Sequence, residues 1–273
     1  MKPLRQDLII VTATTDFDRS RDCLQSWQDK ALLRVPIVIV ANGGATGDPS
    51  GCGSGVTIEF YSGDYLGVVP AFAKGVELAL KTGADIIACF HDDLEILEQN
   101  WDQKVVDHFA EHPKCGLAGF GGGKGLGAEE IYKTPYDPMQ LARQGFVSNM
   151  RDALAHGAKK TCSCRVACLD GFSQIGRGEY WQPGWVDLFT LMKRLGIVHH
   201  AYDAALGCYA KRHGWEAWMI PVHCHHHGGM TAVADAGYNE WASQKIDGGD
   251  QAFWKTAHEL VYKEFKDVLP IRT

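Results

Sequence analysis

The chain opens with short apolar runs that stop at small or polar residues, separated by segments of helical period. "DLIIVTAT" and "VPIVIVANGG" are β-branched runs of strand length. A run that is apolar at nearly every position reads as a strand buried on both faces, as in a parallel sheet. Between them, "DFDRSRDCLQSWQDKA" carries Cys23, Leu24 and Trp27 at helical spacing. "GVTIEFYS" reads as a third strand. "VVPAFAKGVELALKTG" places Val69, Phe72, Ala73, Val76 and Leu80 on one helical face and stops at Gly83. "ADIIACFHDD" and "CGLAGFGG" supply a fourth and a fifth strand. Strand–helix alternation of this kind predicts an α/β fold on a doubly wound, mostly parallel, Rossmann-like sheet.

The alternation lapses over residues 121–163, which begin "GGGKGLG" and continue with mixed polar sequence. The reading here is a loop hinged at Gly121–Gly123, followed by short helices, because long loops in compact domains are usually lids or mobile segments. Strand pattern returns in "RVACLDGFSQIGR". "YDAALGCYAKRHGW" reads as a helix with Asp203 near its start and Gly214 near its end. "EAWMIPVHCHHHGG" reads as a strand running into a histidine cluster, and the tail "DQAFWKTAHELVYKEF" as helical. Residues 1–273 read as one domain: a first half over 1–120, a second half with its lid over 121–232, and a C-terminal helical tail over 233–273.

With 273 residues, 45% of them hydrophobic, the chain can bury a full core without metals or disulfides. No run approaches the roughly 18 apolar residues that would span a bilayer. The start, "MKPLRQDLIIVTATTD", leads straight into a strand and lacks a signal peptide's apolar region, so a cytoplasmic protein is expected. Nine cysteines, several within apolar runs (Cys89, Cys168, Cys208), read as buried reduced thiols. "TCSCRVAC" does not have the paired spacing of a zinc ribbon. The net charge of −6 divides unevenly: −7 over residues 1–119, +4 over 120–214 and −3 over 215–273. A positive middle segment is either ordinary solvated surface or a face toward an anionic partner.

In an open parallel sheet, ligands bind beyond the carboxyl ends of the strands. Those ends are "TATT", "ANGG", "SGDYLG", "HDD" and "FGGG". Asp92 and Asp93 are adjacent carboxylates, which repel one another unless a cation or a proton intervenes. A hard divalent ion with a substrate diphosphate would compensate them, whereas the plainer reading is a helix N-terminal cap. "HCHHHGG" adds His223, His225, His226 and His227 at the end of a late strand. Alternation along a strand sends His223, His225 and His227 to one side and His226 to the other. One imidazole could complete a mixed carboxylate–imidazole site suited to Mn2+ or Mg2+; otherwise these are structural or exposed histidines.

In this order the parts resemble the glycosyltransferases of family two, which have the GT-A fold. The resemblance covers roughly residues 6–232. It rests on "TATTDFDR", "VANGG", "LGVVPAFAKG", "HDD", "DGF" (170–172), "H.YD" (His200, Tyr202, Asp203) and "HHHGG". It departs where the usual Asp after the second strand is missing, leaving Asn42; where the Asn of "A.N.G" falls on Ala73; and where His91 takes the first place of the metal motif.

The resemblance implies a GT-A-type sheet with an acceptor-side insertion and C-terminal helices. Its first half would bind the nucleotide sugar and its second half the acceptor. It implies metal held by Asp93 and a histidine, with His225 preferred over His223 and His227. Thr12, Thr14, Asn42, Asp64 and Gly67 are the implied donor contacts, and Asp92 a contact to ribose or a metal-bound water. Asp203 is the implied catalytic base, with Asp170 and Asp187 as rivals. Trp181, Trp185 and Trp215 would either stack on a sugar or belong to the core.

The implied reaction is displacement at an anomeric carbon with inversion, from a nucleoside-diphosphate sugar to an acceptor hydroxyl. The acceptor is open between a glycan, a small molecule, a protein side chain and a nucleic acid such as hydroxymethylated DNA. Two further classes compete: a metal-dependent hydrolase, and a nucleotide- or sugar-binding module without catalysis.

Overall fold

The computed structural model describes residues 2–52, 56–60, 65–127, 143–152, 157–228, 240–241, 244 and 249–273. Strand β1 (Leu8–Asp16) lies at the heart of the larger sheet, between β2 (Ile37–Thr46) and β4 (Ile86–His91), and pairs with both in parallel. Beyond β2 lies β3 (Val56–Phe60), also parallel. On the other side of β4 come β12 (Ser173–Arg177), β6 (Cys115–Gly119), β13 (Glu216–Met219) and β10 (Cys164–Val166), completing eight strands among the described residues. β12 runs antiparallel to both its neighbours, so the sheet is mixed.

Strict alternation along the central strands explains why their sequences are apolar throughout. Ile9, Val11, Ile87 and Cys89 belong to one buried cluster, whereas Leu8, Ile10, Ile86, Ala88 and Phe90 belong to another on the opposite face. The first face is covered by α2 (Val68–Leu80), which buries Val69, Phe72, Val76 and Ala79. Helices α1 (Phe17–Lys30) and α3 (Trp101–Glu111) cover the second through Trp27, Trp101, Val105 and Phe109. Each large apolar side chain buried in this way stabilises the fold by roughly 1.5–3 kcal/mol. Both buried indoles are satisfied: Trp27 Nε1 donates to the Leu94 carbonyl at 2.7 Å and Trp101 Nε1 to the Trp27 carbonyl at 3.0 Å. Asp16 caps α1 by accepting from the amides of Asp18 and Arg19.

The segment from Gly121 departs from the sequence expectation. Gly121–Leu126 is strand β7, buried and paired with β8 (Arg143–Ser148), β11 (Cys168–Leu169) and the C-terminal β15 (Ile271–Arg272); β9 (Ala158–Lys159) extends this second sheet beyond β8. These glycines are packing devices rather than a hinge. A Cβ on Gly122 would lie 2.6 Å from the Cys168 carbonyl oxygen, and one on Gly123 2.7 Å from Arg143 Cβ. The proposed lid helices fall largely on residues 128–142 and 153–156, outside the described residues. "RVACLDGFSQIGR" divides into β10, β11 and β12, with a turn at Asp170–Phe172. A long helix not marked in the sequence reading, α4 (Gly178–Leu195), follows β12. The remaining elements are α5 (Tyr202–Arg212), β14 (Cys224–His226), which pairs with the short β5 (Leu94–Ile96), and α6 (Gly249–Phe265). No described helix is long and apolar enough to cross a membrane.

Candidate active site at the carboxyl edge of the sheet

β4 delivers five buried residues and then His91 at the sheet's carboxyl edge, where the chain turns through Asp92 and Asp93 into β5. The β5–β14 ladder sets His226 opposite Leu94 and His225 opposite Glu95, and the His227 amide donates to the Asp93 carbonyl at 3.1 Å. This register brings His226 to Asp93: its Nε2 lies 3.1 Å from Asp93 Oδ1. Phe172 stacks on the His226 ring at 4.9 Å between centroids and fixes its plane. His91 completes the group, with Nδ1 4.0 Å from the same carboxylate oxygen. One ligand atom from each of His91, Asp93 and His226 lies within 4.8 Å of the others.

Two of these atoms are short of partners. Asp93 Oδ1 and His226 Nε2 are buried without a well-formed hydrogen bond, although they approach one another to 3.1 Å. Buried polar atoms are normally satisfied, so a pair left open and facing one another fits a cation-binding site. Two imidazole nitrogens and one carboxylate oxygen suit a first-row divalent ion such as Mn2+ better than Ca2+. Burial works to raise the Asp93 pKa, but the His226 and His91 imidazoles outweigh it and hold the carboxyl down to about 2. Burial opposes protonation of His226, and Asp93 overcomes it, lifting that pKa above the usual value. His91 is shifted down, chiefly by burial.

The other histidines of the cluster turn elsewhere. His225 Nδ1 lies 2.9 Å from Asp152, and the His225 and His227 rings meet at 4.4 Å on the far side of β14. The His223 amide donates to Glu98 at 2.6 Å. The structure therefore sets His226 beside Asp93, where the sequence reading had preferred His225, and adds His91.

Asp92 has a different environment. It accepts from Thr14 Oγ1 at 2.7 Å and lies 3.9 Å from Arg19. Burial raises its pKa to about 6, assisted by the charge of Asp93 and opposed by the Thr14 bond and Arg19.

A cleft of about 360 Å3 opens beside this group. Its lining includes Thr14, Thr15, Asn42, Tyr65, Arg143, Asp170, Asp203, Trp254 and His258. Of the sequence-expected donor residues, Thr14 is on the wall. Thr12 is fully buried, its hydroxyl donating to the Phe90 carbonyl at 2.8 Å. Asn42 lines the cleft, but its amide is engaged by the loop before α2: Oδ1 accepts from the Leu66 amide at 2.9 Å, and Nδ2 donates to the Gly67 carbonyl at 3.4 Å. Gly67 is behind the wall; with φ of 84°, a Cβ there would sit 2.4 Å from the Val198 carbonyl oxygen. Asp64 lies outside the described residues, and Trp185 and Asp187 are described only as backbone of α4.

Also on the cleft, Arg143 binds both candidate catalytic carboxylates. Nη2 lies 3.0 Å from Asp170, and Nη1 is in close contact with Asp203. Asp203 enters from the first turn of α5, two residues after Ala201, whose left-handed φ of 59° costs about 1 kcal/mol. Trp181 and Trp215 belong to the body: Trp181 Nε1 donates to the Ile87 carbonyl at 3.2 Å, and Trp215 packs where a Gly116 Cβ would be. Among the described residues, the indole that lines the cleft is Trp254, from the tail helix. The sequence reading did not single out Arg143, Trp254 or His258. Their only signal is chemical type, since each lies in an element remote in sequence from the strand ends.

No protein-family model matches this sequence, and no curated protein matches it. The fold does match solved structures. It aligns with the crystal structure of GalNAc-T7 with UDP, GalNAc and Mn2+ at a TM-score of 0.52 and 12% identity, over 95% of this chain and 57% of that one. The fold is GT-A. The GT-A assignment covers the mixed sheet and the helices packed on it. Because one fold hosts many chemistries, it fixes the architecture and not the reaction.

Proposed function

We propose that this chain is a divalent-metal-dependent glycosyltransferase that moves a sugar from a nucleoside-diphosphate sugar to an acceptor hydroxyl. The observation that carries this reading is the His91–Asp93–His226 group, set at the carboxyl edge of a GT-A sheet and beside the same cleft as Asp203. A Mn2+ or Mg2+ ion held there would act as a Lewis acid toward the departing diphosphate, and the two imidazoles favour Mn2+. UDP is the first nucleotide to test, because the structural neighbour holds UDP and Mn2+.

The chain's own groups divide the remaining work. Thr14 and Thr15 at the end of β1, with Tyr65, form the wall for the nucleoside. Asp92, reached by Thr14, is placed for a ribose hydroxyl or a metal-bound water. Asp203 takes the proton of the acceptor hydroxyl. Arg143 orients Asp203 and Asp170 together, and a single base of this kind suits one displacement with inversion. Two acceptor classes rest on different observations: the positive charge of residues 120–214 favours a polyanion such as hydroxymethylated DNA, and the cleft's own lining favours a glycan.

A screen of nucleoside-diphosphate sugars by thermal shift, with and without Mn2+, tests the proposal. UDP or a UDP-sugar should raise Tm only with metal present, by the mass-action stabilisation that any native-state ligand gives. Slow release of UDP from the sugar should stop in EDTA. It should also fall at least about 100-fold in Asp203→Asn, the usual scale for loss of a general base. Equal release in EDTA, or no nucleotide binding with any metal, would defeat the reading.

A further inference from the structure

From the tail helix α6, and resting on the transferase reading above, we infer an acceptor subsite for a neutral pyranose ring, built on Trp254 and His258. The buried stripe of α6 runs Phe253, Ala257, Val261 and Phe265, and toward its C-terminal end it packs into the core. The adjoining face of the helix, one position round from this stripe, reaches the cleft, and there it presents Trp254 and His258.

These two residues form one unit. They are four apart, so they share a helical face. Their rings lie 4.0 Å apart between centroids, and His258 Nδ1 bonds the Trp254 carbonyl oxygen at 2.9 Å. A carbonyl can only accept, so Nδ1 carries the hydrogen; in the neutral ring Nε2 is then a hydrogen-bond acceptor. An indole beside an oriented imidazole acceptor matches a sugar ring, which has an apolar C–H face and hydroxyl donors at its rim. The half-exposed Trp254 is available for that stacking, whereas Trp181 is sealed in the core.

The charges nearby choose between acceptor classes. Asp203 and Asp170 share the single guanidinium of Arg143, and His200, also on the cleft, lies 2.6 Å from Asp250. Among the described residues around this subsite, two cleft-lining carboxylates, Asp170 and Asp203, against one guanidinium disfavour a polyanion and accept hydroxyl donors. The positive surface elsewhere in the middle segment does not alter this local balance. Asp203 beside the stacked ring places a carboxylate where an acceptor hydroxyl must lose its proton.

The test uses the full chain with Mn2+ and saturating UDP. Methyl pyranosides of the gluco, galacto, manno and 2-acetamido-gluco series are titrated and followed by saturation-transfer NMR. At least one should bind saturably in the millimolar range. Trp254→Ala should weaken it by about tenfold or more, and Trp254→Phe should restore most of the loss, as expected for an aromatic platform. His258→Gln should weaken binding less than Trp254→Ala. Absence of saturable binding to protein that binds UDP would overturn the subsite and leave the donor reading standing. Competition between UDP and the pyranoside would assign the indole to the nucleobase and overturn it as well. A salt-sensitive preference for an oligonucleotide over every pyranoside would overturn it in favour of the polyanion. Saturable pyranoside binding without any UDP binding would support the subsite while removing the transferase reading.

Discussion

Tyr202 and His91 share a short hydrogen bond of 2.7 Å between the phenol oxygen and Nε2, and the phenol also donates to the Gly171 carbonyl at 2.8 Å. A phenol has one hydrogen, and the carbonyl can only accept it. The Tyr202 oxygen must therefore accept from His91 Nε2–H; in the neutral ring Nδ1 is then unprotonated, and it faces Asp93. Gly171 is required for this arrangement, because a Cβ there would lie 2.5 Å from the Tyr202 hydroxyl oxygen.

Tyr202→Phe should accordingly weaken Mn2+ binding by about 10- to 100-fold, the usual effect of removing a group that orients a metal-ligating histidine. Titration calorimetry with Mn2+ and UDP checks this. An unchanged affinity would mean that His91 does not need its partner to serve as a ligand.

His226 and His225 should separate cleanly. His226→Ala removes a nitrogen beside Asp93 and should abolish metal-dependent UDP binding. His225→Ala removes a partner of Asp152 and should leave that binding within about twofold, as for surface pairs generally. Calorimetry on the two variants decides between them, and the reverse pattern would move the metal to the other side of β14.

Gly122→Ala tests whether the glycine run is packing or hinge. The new methyl group would meet the Cys168 carbonyl at 2.6 Å and should cost about 1–3 kcal/mol, as overpacking does. Urea denaturation measures it. No loss of stability would restore the view of this segment as a loose hinge.

His108 provides a pH signature away from the cleft. It is 5% exposed, and burial, with the nearby charges of His112 and Arg177, pushes its pKa down to about 4. The unfolded chain takes up this proton at about pH 6.5, so between pH 6.5 and 4 the unfolded state binds more protons. Stability from keeping His108 neutral is complete above pH 6.5 and is lost as pH falls toward 4, by at most about 3 kcal/mol. His108→Phe keeps a ring against His112 and Trp218 but should flatten this part of the pH–stability curve; an unchanged slope would assign it to other groups.

By itself the sequence determined the layered α/β core. Runs such as "LIIVTA" and "IIACF" are apolar at nearly every position, and only a strand covered on both faces can bury them all. It also placed chemistry at the strand ends, and it set His226 apart from His225 and His227, because side chains alternate along any strand. It could not say which side of β14 would meet Asp93. That depended on the register of β14 against β5, two segments more than a hundred residues apart. Only the tertiary structure turned Asn42 inward to hold Leu66, made a strand of Gly121–Leu126, and brought Arg143 onto Asp170 and Asp203. Trp254 and His258 reach the cleft for the same reason. Their place follows from where α6 docks, and docking is fixed by summed packing across the molecule rather than by any local pattern in the chain.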